Sequence, residues 1–218
     1  MTSGAALRQR DYAYSNFTEK LLSRDLNPSQ VVSQRELVEL TGMPLGAIRE
    51  MIPRLEADGL IKTVPKRGLQ ILSIDLDLVR NAFQLRSIIE GEAISEFCKN
   101  APMEEIRRLE KQHRDIREKA AAAVSPEVLQ TAQHTDWAFH DQIIDALENS
   151  IISDIHRVNA IKIRLIRNND TRMLPELVVS VLDEHLAIFE ALGNRDCKGA
   201  VQAMQAHIDS AKRRALGL

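Results

Sequence analysis

Four side chains in the second half of the chain have the types and the spacing of metal ligands. Asp136 and His140 are four residues apart in a helical pattern, so both side chains lie on one helix face. His185 and His207 lie on successive predicted helices, eight residues before the connecting turn and eleven after it. At a rise of about 1.5 Å per residue, an antiparallel pair brings them to nearly the same depth. One carboxylate and three imidazoles could then converge inside a helical bundle.

A set of one oxygen and three nitrogen ligands suits a borderline divalent ion such as Zn²⁺, Ni²⁺, Mn²⁺ or Fe²⁺. An octahedral ion would keep two positions for other ligands, and a small carboxylate could chelate there. The alternative is that these histidines are ordinary core or surface residues, because an Asp–His pair with this spacing is common by chance. His113, His134 and His156 lack comparable partners in the sequence and are interpreted as structural or exposed.

The elements that must position these ligands are helices. Every segment after Ile74 has a helical pattern, and breakers such as Pro126, Pro175 and Gly193 separate the segments. The predicted helices cover residues 75–99, 102–122, 126–147, 150–170, 175–192 and 196–216. We therefore expect a mainly α fold in which residues 75–218 form an all-α antiparallel helical bundle.

The first third of the chain has a different pattern, with three short helices followed by a hairpin. Helices are predicted up to Ser23 and after Ser33, where Glu36 takes the capping-box position. The further predicted elements are a helix from about Leu45 to Asp58, strand-like segments 60–64 and 69–72, and the basic turn Pro65-Lys66-Arg67-Gly68 between them. This order predicts a winged helix-turn-helix, a DNA-binding domain, in residues 1–74.

Charge and composition limit the classes of protein that fit. Residues 1–74 hold 10 Lys and Arg against 8 Asp and Glu, a net of +2, and the remainder holds 19 against 23, a net of −4. A mildly basic first third permits DNA binding without demonstrating it. Charged residues interrupt every long apolar stretch, so we expect a cytoplasmic protein with no membrane segment. Cys98 and Cys197 are isolated in the sequence, which fits a reducing compartment and predicts no disulfide framework.

Cations of the winged helix are the candidate DNA contacts. The second helix of such a motif enters the major groove, and flanking cations hold phosphates. The candidates are Arg35, Arg49, Arg54, Lys66 and Arg67. Arg49 and Arg54 are about 140° apart around a helix, so one could contact DNA while the other packs or pairs. The alternative, that all five are ordinary solvated cations, stays open on this pattern alone.

An ordered set of segments runs through the winged helix without gaps. The segments are Val32-Ser33-Gln34-Arg35-Glu36-Leu37, Ile48-Arg49-Glu50, Arg54-Leu55-Glu56-Ala57-Asp58-Gly59-Leu60 and Pro65-Lys66-Arg67-Gly68. With them, residues 31–72 resemble the winged helix of the GntR family of transcription regulators. The resemblance implies that Arg35 and Arg49 touch the operator and that Arg54 assists. It also implies that Gly68 lies in or beside the minor groove.

The start of the third helix departs from the GntR pattern. The family usually has a Ser-Arg-Thr-Pro-like stretch there, whereas this chain has Pro44-Leu45-Gly46-Ala47. Leu45 replaces the usual cation and Gly46 replaces a hydroxyl residue. Losing a charged base or phosphate contact costs on the order of 1–3 kcal/mol, so we expect an altered operator and weaker affinity. Leu45 could still contact a thymine methyl group.

The helical part of the chain carries a second resemblance. The matching segments are Arg86-Ser87-Ile88-Ile89-Glu90, Asp136-x-x-x-His140, Glu184-His185 and Ala206-His207. With them, residues 78–215 resemble the FCD-type ligand-binding domain of the FadR subfamily of GntR regulators. All four metal-ligand positions of that family are filled, which implies the metal-binding branch. The resemblance implies a small organic acid held beside the metal ion.

Three arginines are candidates for binding that acid. Arg86 is the first, because a guanidinium can hold a carboxylate with two hydrogen bonds. An equally good interpretation is a salt bridge from Arg86 to Glu90, which lies four residues later on the same helix. Arg164 and Arg167 on a later helix are lesser candidates, and one of them is expected to be solvated.

These features together predict a homodimeric transcription regulator, a repressor or an activator, that is not an enzyme. A small carboxylate effector bound beside the metal would change its affinity for double-stranded operator DNA. Three alternatives stay open: a direct metal sensor, an ion with a purely structural role, and a metal-dependent enzyme. The enzyme is the weakest of them, because no additional general base is evident beside the four ligands.

Overall fold

The computed structural model describes the backbone of residues 3–170 and 175–218, and the side chains of residues 9, 11–166 and 175–218. The chain divides into two compact units between Leu76 and Asp77. The described elements are α1 Ser3–Leu22, β1 Val31–Val32, α2 Gln34–Thr41, α3 Leu45–Ala57, β2 Ile61–Val64, β3 Gly68–Ile71, α4 Leu76–Asn100, α5 Met103–Ala122, α6 Pro126–Asp145, α7 Ser150–Asp170, α8 Val178–Gly193 and α9 Cys197–Ala215. The predicted mainly α fold is confirmed.

Local sequence signals fix the helices of the first unit. The Ser33 hydroxyl accepts a hydrogen bond from the Glu36 amide at 3.1 Å, and the Glu36 carboxylate accepts one from the Ser33 amide at 2.6 Å. This capping box begins α2, and Gly42 ends it in the left-handed conformation with a φ of 67°. Helix α3 follows at once, so α2 and α3 form a helix-turn-helix, packed on α1 around buried Phe17 and Leu37.

A small antiparallel sheet completes the first unit, with β3 between β1 and β2. The sequence pattern predicted the hairpin of β2 and β3, whereas the two-residue strand β1 was not predicted. Val32 of β1 lies opposite Leu69 of β3, and both side chains are buried. The turn of the hairpin is closed by a 3.0 Å hydrogen bond from the Arg67 amide to the Val64 carbonyl.

The second unit is a helical bundle in which α8 packs against both α5 and α9, and α6 packs against α5 and α7. The predicted helices agree with the observed ones to within about three residues at each end, and a short 3₁₀ turn, Pro175–Leu177, precedes α8. Apolar side chains from α5, α6 and α8, including Ile116, Ala132 and Leu182, form a buried core. No helix in the described part of the chain is long and apolar enough to cross a membrane.

A disulfide joins two ends of this bundle. Cys98 near the end of α4 and Cys197 at the start of α9 are bonded, with Cα atoms 5.5 Å apart and a sequence separation of 99 residues. The expectation of two unpaired cysteines is therefore wrong. Two cysteines so far apart in sequence carry no local signal of pairing, and only the packing of α4 beside the α8–α9 turn brings them together.

Candidate metal centre and operator surface

The four predicted ligands meet inside the second unit. Asp136 and His140 come from α6, His185 from α8 and His207 from α9, and all four side chains are buried. Each offers one ligand atom, and these atoms all lie within 4.8 Å of one another. The Nε2 atom of His185 lies 3.4 Å from Asp136 Oδ1 and 3.4 Å from His207 Nε2. The arrangement is one that can hold a divalent cation.

Two carboxylates, half-buried Glu184 and buried Glu90, lie beside two of the imidazoles. His207 Nδ1 donates to Glu184 Oε2 at 2.8 Å, and Arg214 holds the same carboxylate with hydrogen bonds of 2.8 and 3.0 Å. His140 Nδ1 lies 2.8 Å from Glu90 Oε2. With the proton on Nδ1, each ring has its lone pair on Nε2, as carboxylate–histidine–metal arrangements require. The Nε2 atom of His207 faces His185, whereas that of His140 accepts from Arg86 Nη2 at 2.6 Å, a contact that a metal ion bound at His140 Nε2 would replace.

The surroundings of the three histidines favour the neutral imidazole, which is the form that binds a metal ion. Burial lowers the pKa of His185 well below its usual value, and it lowers the pKa of His207 to about 4. Burial and the Arg86 charge also lower the pKa of His140. Neutral imidazoles keep the lone pair that a metal ion needs. The residues present therefore fit a divalent cation, because their donor set, burial and protonation all suit one.

Of the two interpretations of Arg86, the salt bridge to Glu90 is confirmed, and the effector contact stays a prediction. Its Nε atom donates to Glu90 Oε1 at 2.8 Å, and both side chains are buried, so the salt bridge exists. Burial alone would raise the pKa of Glu90, but Arg86 and His140 lower it to about 2. The Nη2 atom of Arg86 lies 2.6 Å from His140 Nε2 and can only donate to it. The Nη1 atom is buried and has no hydrogen-bond partner among the described residues.

A pocket lies beside the four ligands, between α4, α6 and α7. Arg86, His140 and the predicted Arg164 line it. Arg164 donates to Asp141 Oδ2 at 2.9 Å, and its guanidinium lies 4.6 Å from the Trp137 ring centroid. The side chain of Arg167 lies outside the described residues, so its predicted role stays a prediction.

Sequence reasoning missed several residues of this pocket. They are Glu90 as a ligand-orienting residue, together with Trp137, Asp141, His156 and Asn159. His156 is buried and its Nε2 atom lies 3.1 Å from Asp141 Oδ1, so it is not the partnerless residue that the sequence suggested. Asp141 directly follows the predicted ligand His140, and this position was the one sequence signal that it belongs to the site. Its partners His156 and Arg164 lie on α7, so the sequence does not show the contacts. His113 is buried against Phe139 and Phe189, in agreement with a structural role.

The first unit gathers cations along one groove. Arg35 at the start of α2 lines this groove together with Lys66, Arg67 and Gly68 of the hairpin turn. Arg49 of α3 is exposed and donates to Gln34, which also lines the groove. The arrangement offers positive charge between a helix end and a wing, as a phosphate backbone requires.

Arg54 and Gly68 have structural roles of their own. Arg54 pairs with Asp11 of α1 at 3.0 Å and lies 4.0 Å from the Tyr14 ring centroid, so this arginine fastens α3 to α1. The sequence predicted that one of Arg49 and Arg54 packs or pairs within the protein, and that residue is Arg54. Gly68 has a φ of 122°, and a Cβ atom there would come within 2.5 Å of the Val32 carbonyl oxygen. The close approach of β1 requires glycine at this position.

The start of α3 presents an unusual surface. Leu45 is 41% exposed although it is a large apolar residue. A Cβ atom added to Gly46 would meet nothing within 4 Å, so both positions are open to solvent. The departure from the usual pattern therefore changes the surface of the helix rather than its packing.

Comparisons with known proteins agree with this architecture. Residues 81–210 match the FCD domain family. The chain is 26% identical to the uncharacterized HTH-type transcriptional regulator YdhC of Bacillus subtilis, over 90% of this chain and 86% of that protein. It is 25% identical to the Uxu operon transcriptional regulator of Escherichia coli, over 90% of this chain and 82% of that protein. The GntR protein of Rhodococcus sp. RHA1 has the same fold, with a TM-score of 0.72 and 16% identity over 96% of this chain and 98% of that one.

Proposed function

Because the chain belongs to the FCD domain family of GntR-type transcription regulators, we propose that a small organic acid bound beside a divalent metal ion sets its affinity for operator DNA. The observation that carries the proposal is the convergence of Asp136, His140, His185 and His207, whose ligand atoms lie within 4.8 Å of one another. A metal ion held by them would supply positive charge to which a carboxylate binds.

The pocket beside the four ligands supports an acidic effector. Arg86 lines it with a buried Nη1 atom that has no partner among the described residues. A carboxylate oxygen is the natural acceptor for that N–H, because a charge-assisted hydrogen bond is stronger than a neutral one. Arg86 thus holds Glu90 with one nitrogen and keeps another for the effector.

The groove of the first unit supports the DNA-binding half of the proposal. Arg35, Arg49, Lys66 and Arg67 contact the operator, with Gly68 at the base of the wing, while Arg54 acts by holding α3 on α1. The protein acts as a homodimer in the cytoplasm and is not an enzyme. The acid changes operator affinity only if it binds one arrangement of the dimer better than another.

A mobility-shift assay tests this function. The full chain is stripped with chelator, reloaded with zinc, and titrated onto a duplex selected from a random-sequence library, with and without a panel of small acids. We expect operator affinity to change with an acid in the zinc-loaded protein, and His185→Ala to abolish that response. If no duplex is bound under any condition, the proposal fails.

The same assay separates the alternatives. A change of affinity with zinc alone would favour a direct metal sensor over an acid-responsive regulator. Chelation that lowers the melting temperature but leaves the acid response intact would assign the ion a structural role. Consumption of an acid by the zinc-loaded protein, followed by nuclear magnetic resonance, would show an enzyme instead.

A further inference from the structure

Two of the three imidazoles in the ligand set have a carboxylate beside Nδ1. Glu90 lies 2.8 Å from His140 Nδ1. Glu184 accepts a hydrogen bond from His207 Nδ1 at 2.8 Å. The third imidazole, His185, turns its Nε2 atom towards His207 Nε2 at 3.4 Å, and its Nδ1 atom is buried with no hydrogen-bond partner in the described part of the chain. A histidine that binds a metal ion through Nε2 keeps its proton on Nδ1, so this N–H requires an acceptor.

His113 of α5 carries a matching acceptor on the neighbouring ring. The ring centroids of His113 and His185 are 5.1 Å apart, and both side chains are fully buried. His113 Nδ1 lies 2.8 Å from the Leu109 carbonyl, which can only accept, so the proton of His113 is on Nδ1 and the lone pair is on Nε2. That Nε2 atom is buried and also has no partner among the described residues. An acceptor without a donor and a donor without an acceptor thus lie on adjacent rings.

The packing around the two rings favours a direct hydrogen bond over one through water. The centroids of Phe139 and Phe189 lie 5.5 and 4.8 Å from that of His113, and Phe139 lies 5.2 Å from His185. A buried water molecule needs a cavity and two to four polar partners, whereas these neighbours are apolar rings. A centroid separation of 5.1 Å suits two imidazoles joined by one N–H···N bond of about 2.9 Å. Closing the bond therefore requires the rings to turn but no shift of α5 or α8.

We propose that His113 is a positioning residue of the metal centre, whose Nε2 atom accepts a hydrogen bond from His185 Nδ1 in the metal-loaded protein. The chain of hydrogen bonds then runs from His185 through His113 to the Leu109 carbonyl, so it fixes a ligand of α8 to the backbone of α5. Because the acceptor is neutral, it orients the ring without adding a charge to the site. This inference rests on the proposed function only in taking the four ligands to hold a divalent ion.

Zinc affinity of the full chain, measured by competition with a chromophoric chelator, tests the role of the acceptor. His113→Phe keeps a buried ring and removes the acceptor, and we expect it to lower zinc affinity roughly tenfold, as loss of a residue that orients a ligand does. His113→Gln keeps an amide oxygen that can accept near the Nε2 position, and its zinc affinity should stay within about threefold of that of the parent.

The melting temperature of the metal-free protein separates positioning from packing. We expect His113→Phe to melt no lower than the parent, because it replaces a buried nitrogen that has no partner by an apolar ring among phenylalanines. His134→Gln is the control for the loss of a histidine, since His134 is exposed on α6. Its zinc affinity should stay within about twofold of that of the parent, as for most surface substitutions.

Nuclear magnetic resonance of the zinc-loaded full chain, labelled with ¹⁵N-histidine, observes the bond itself. We expect a proton on His185 Nδ1 and a scalar coupling between this nitrogen and His113 Nε2, which only a direct hydrogen bond transmits. A role of His113 in packing alone would give no such coupling. A proton on His185 Nδ1 without the coupling would therefore overturn the inference, even if zinc affinity fell in His113→Phe.

The outcomes distinguish this inference from the function on which it rests. If the parent binds zinc and His113→Phe binds it within about twofold as tightly, the positioning role is wrong and the metal-dependent regulator stands. Equal losses in His113→Phe and His113→Gln would also overturn the role, because the acceptor would then make no difference. If the parent binds no zinc, both this inference and the metal-dependent part of the proposed function are overturned.

Discussion

Glu184 shows how one residue outside the ligand set can control it. Its carboxylate lies between the Arg214 guanidinium and His207 Nδ1, at 2.8 Å from the latter. We expect Glu184→Gln to lower zinc affinity roughly 10–100-fold, because the neutral amide no longer increases the basicity of His207. Competition with a chromophoric chelator measures the change.

Asp183 provides the matched control for that substitution. It lies next to Glu184 in the sequence but pairs with Arg117 on the exposed surface, at 2.9 Å. Asp183→Asn removes the same charge from the same helix and should leave zinc affinity within about twofold, since exposed pairs contribute little. Equal losses in the two variants would mean that Glu184 acts only through the overall charge of α8.

Tyr14 gives the first unit a dependence on alkaline pH. Its hydroxyl donates to Asp58 Oδ2 at 2.7 Å, and burial together with this bond raises the pKa of Tyr14 above its usual value of 10.0. A raised folded-state pKa contributes stability that is full below the unfolded pKa and falls as the pH rises beyond it. Urea unfolding of the first unit should therefore become easier above a pH of about 10.

Tyr14→Phe is expected to remove most of that alkaline loss, because the ionisable group is gone. Tyr12→Phe is the comparison, since Tyr12 lies on the same helix and is 64% exposed. Circular dichroism of urea unfolding between pH 8 and pH 11 follows both variants. An alkaline slope that persists in Tyr14→Phe and matches the parent would assign it to other groups.

Among the elements, α3 is where the surface for DNA departs most from the usual pattern. Leu45 is exposed at its first turn, so Leu45→Arg adds a cation without disturbing the core. We expect operator affinity to rise and the dependence of log K on log salt to steepen by about one. Leu45→Gln, which has no charge, controls for loss of the apolar side chain and should leave the slope unchanged. A steeper slope in the glutamine variant, or none in the arginine variant, would remove Leu45 from the phosphate interface.

The disulfide ties the end of α4 to the start of α9. These helices also carry Arg86 and His207, so the crosslink connects two elements of the pocket and the metal centre. Reducing the metal-free protein with a phosphine should destabilise the second unit by about 2–4 kcal/mol, which is a fall in melting temperature of roughly 6–12 °C. Cys197→Ser is the control and should melt at the lower temperature with or without the reductant. An unchanged melting temperature would show that the crosslink adds no stability.

Elements with local signals could be predicted from the sequence, and contacts between elements could not. The Ser33–Glu36 capping box, the hairpin and the helices of the bundle follow from spacing and breakers in short windows. Strand β1 has only two residues, too few for a pattern, and exists because β3 pairs with it. The matching depth of His185 and His207 was predictable because helix rise converts sequence distance into depth, whereas the approach of Asp136 and His140 on α6 was implied by the family resemblance. The pairing of His156 with Asp141 depends on how α6 meets α7, which no spacing encodes.

At the scale of the whole molecule, the two kinds of site lie in different units. Arg35, Lys66 and Arg67 belong to the first unit, and the four metal ligands belong to the second. In the proposed function, an effector bound in the second unit controls DNA binding by changing how the recognition elements are presented. The proposed homodimer would allow this, because its two copies of α3 would have to fit the DNA together.

This arrangement predicts a strict dependence on half-site spacing. Two recognition helices related by a two-fold axis reach half-sites about 10 base pairs apart on one face of the duplex. Inserting about 5 base pairs turns one half-site by roughly half a turn, so only one copy of α3 can dock, and we expect at least tenfold weaker binding. Inserting about 10 base pairs returns the half-site to the same face and should restore part of the affinity. Mobility shifts on the three duplexes, with sedimentation to count the chains bound, measure this, and equal affinity for all three would mean that each chain binds DNA independently.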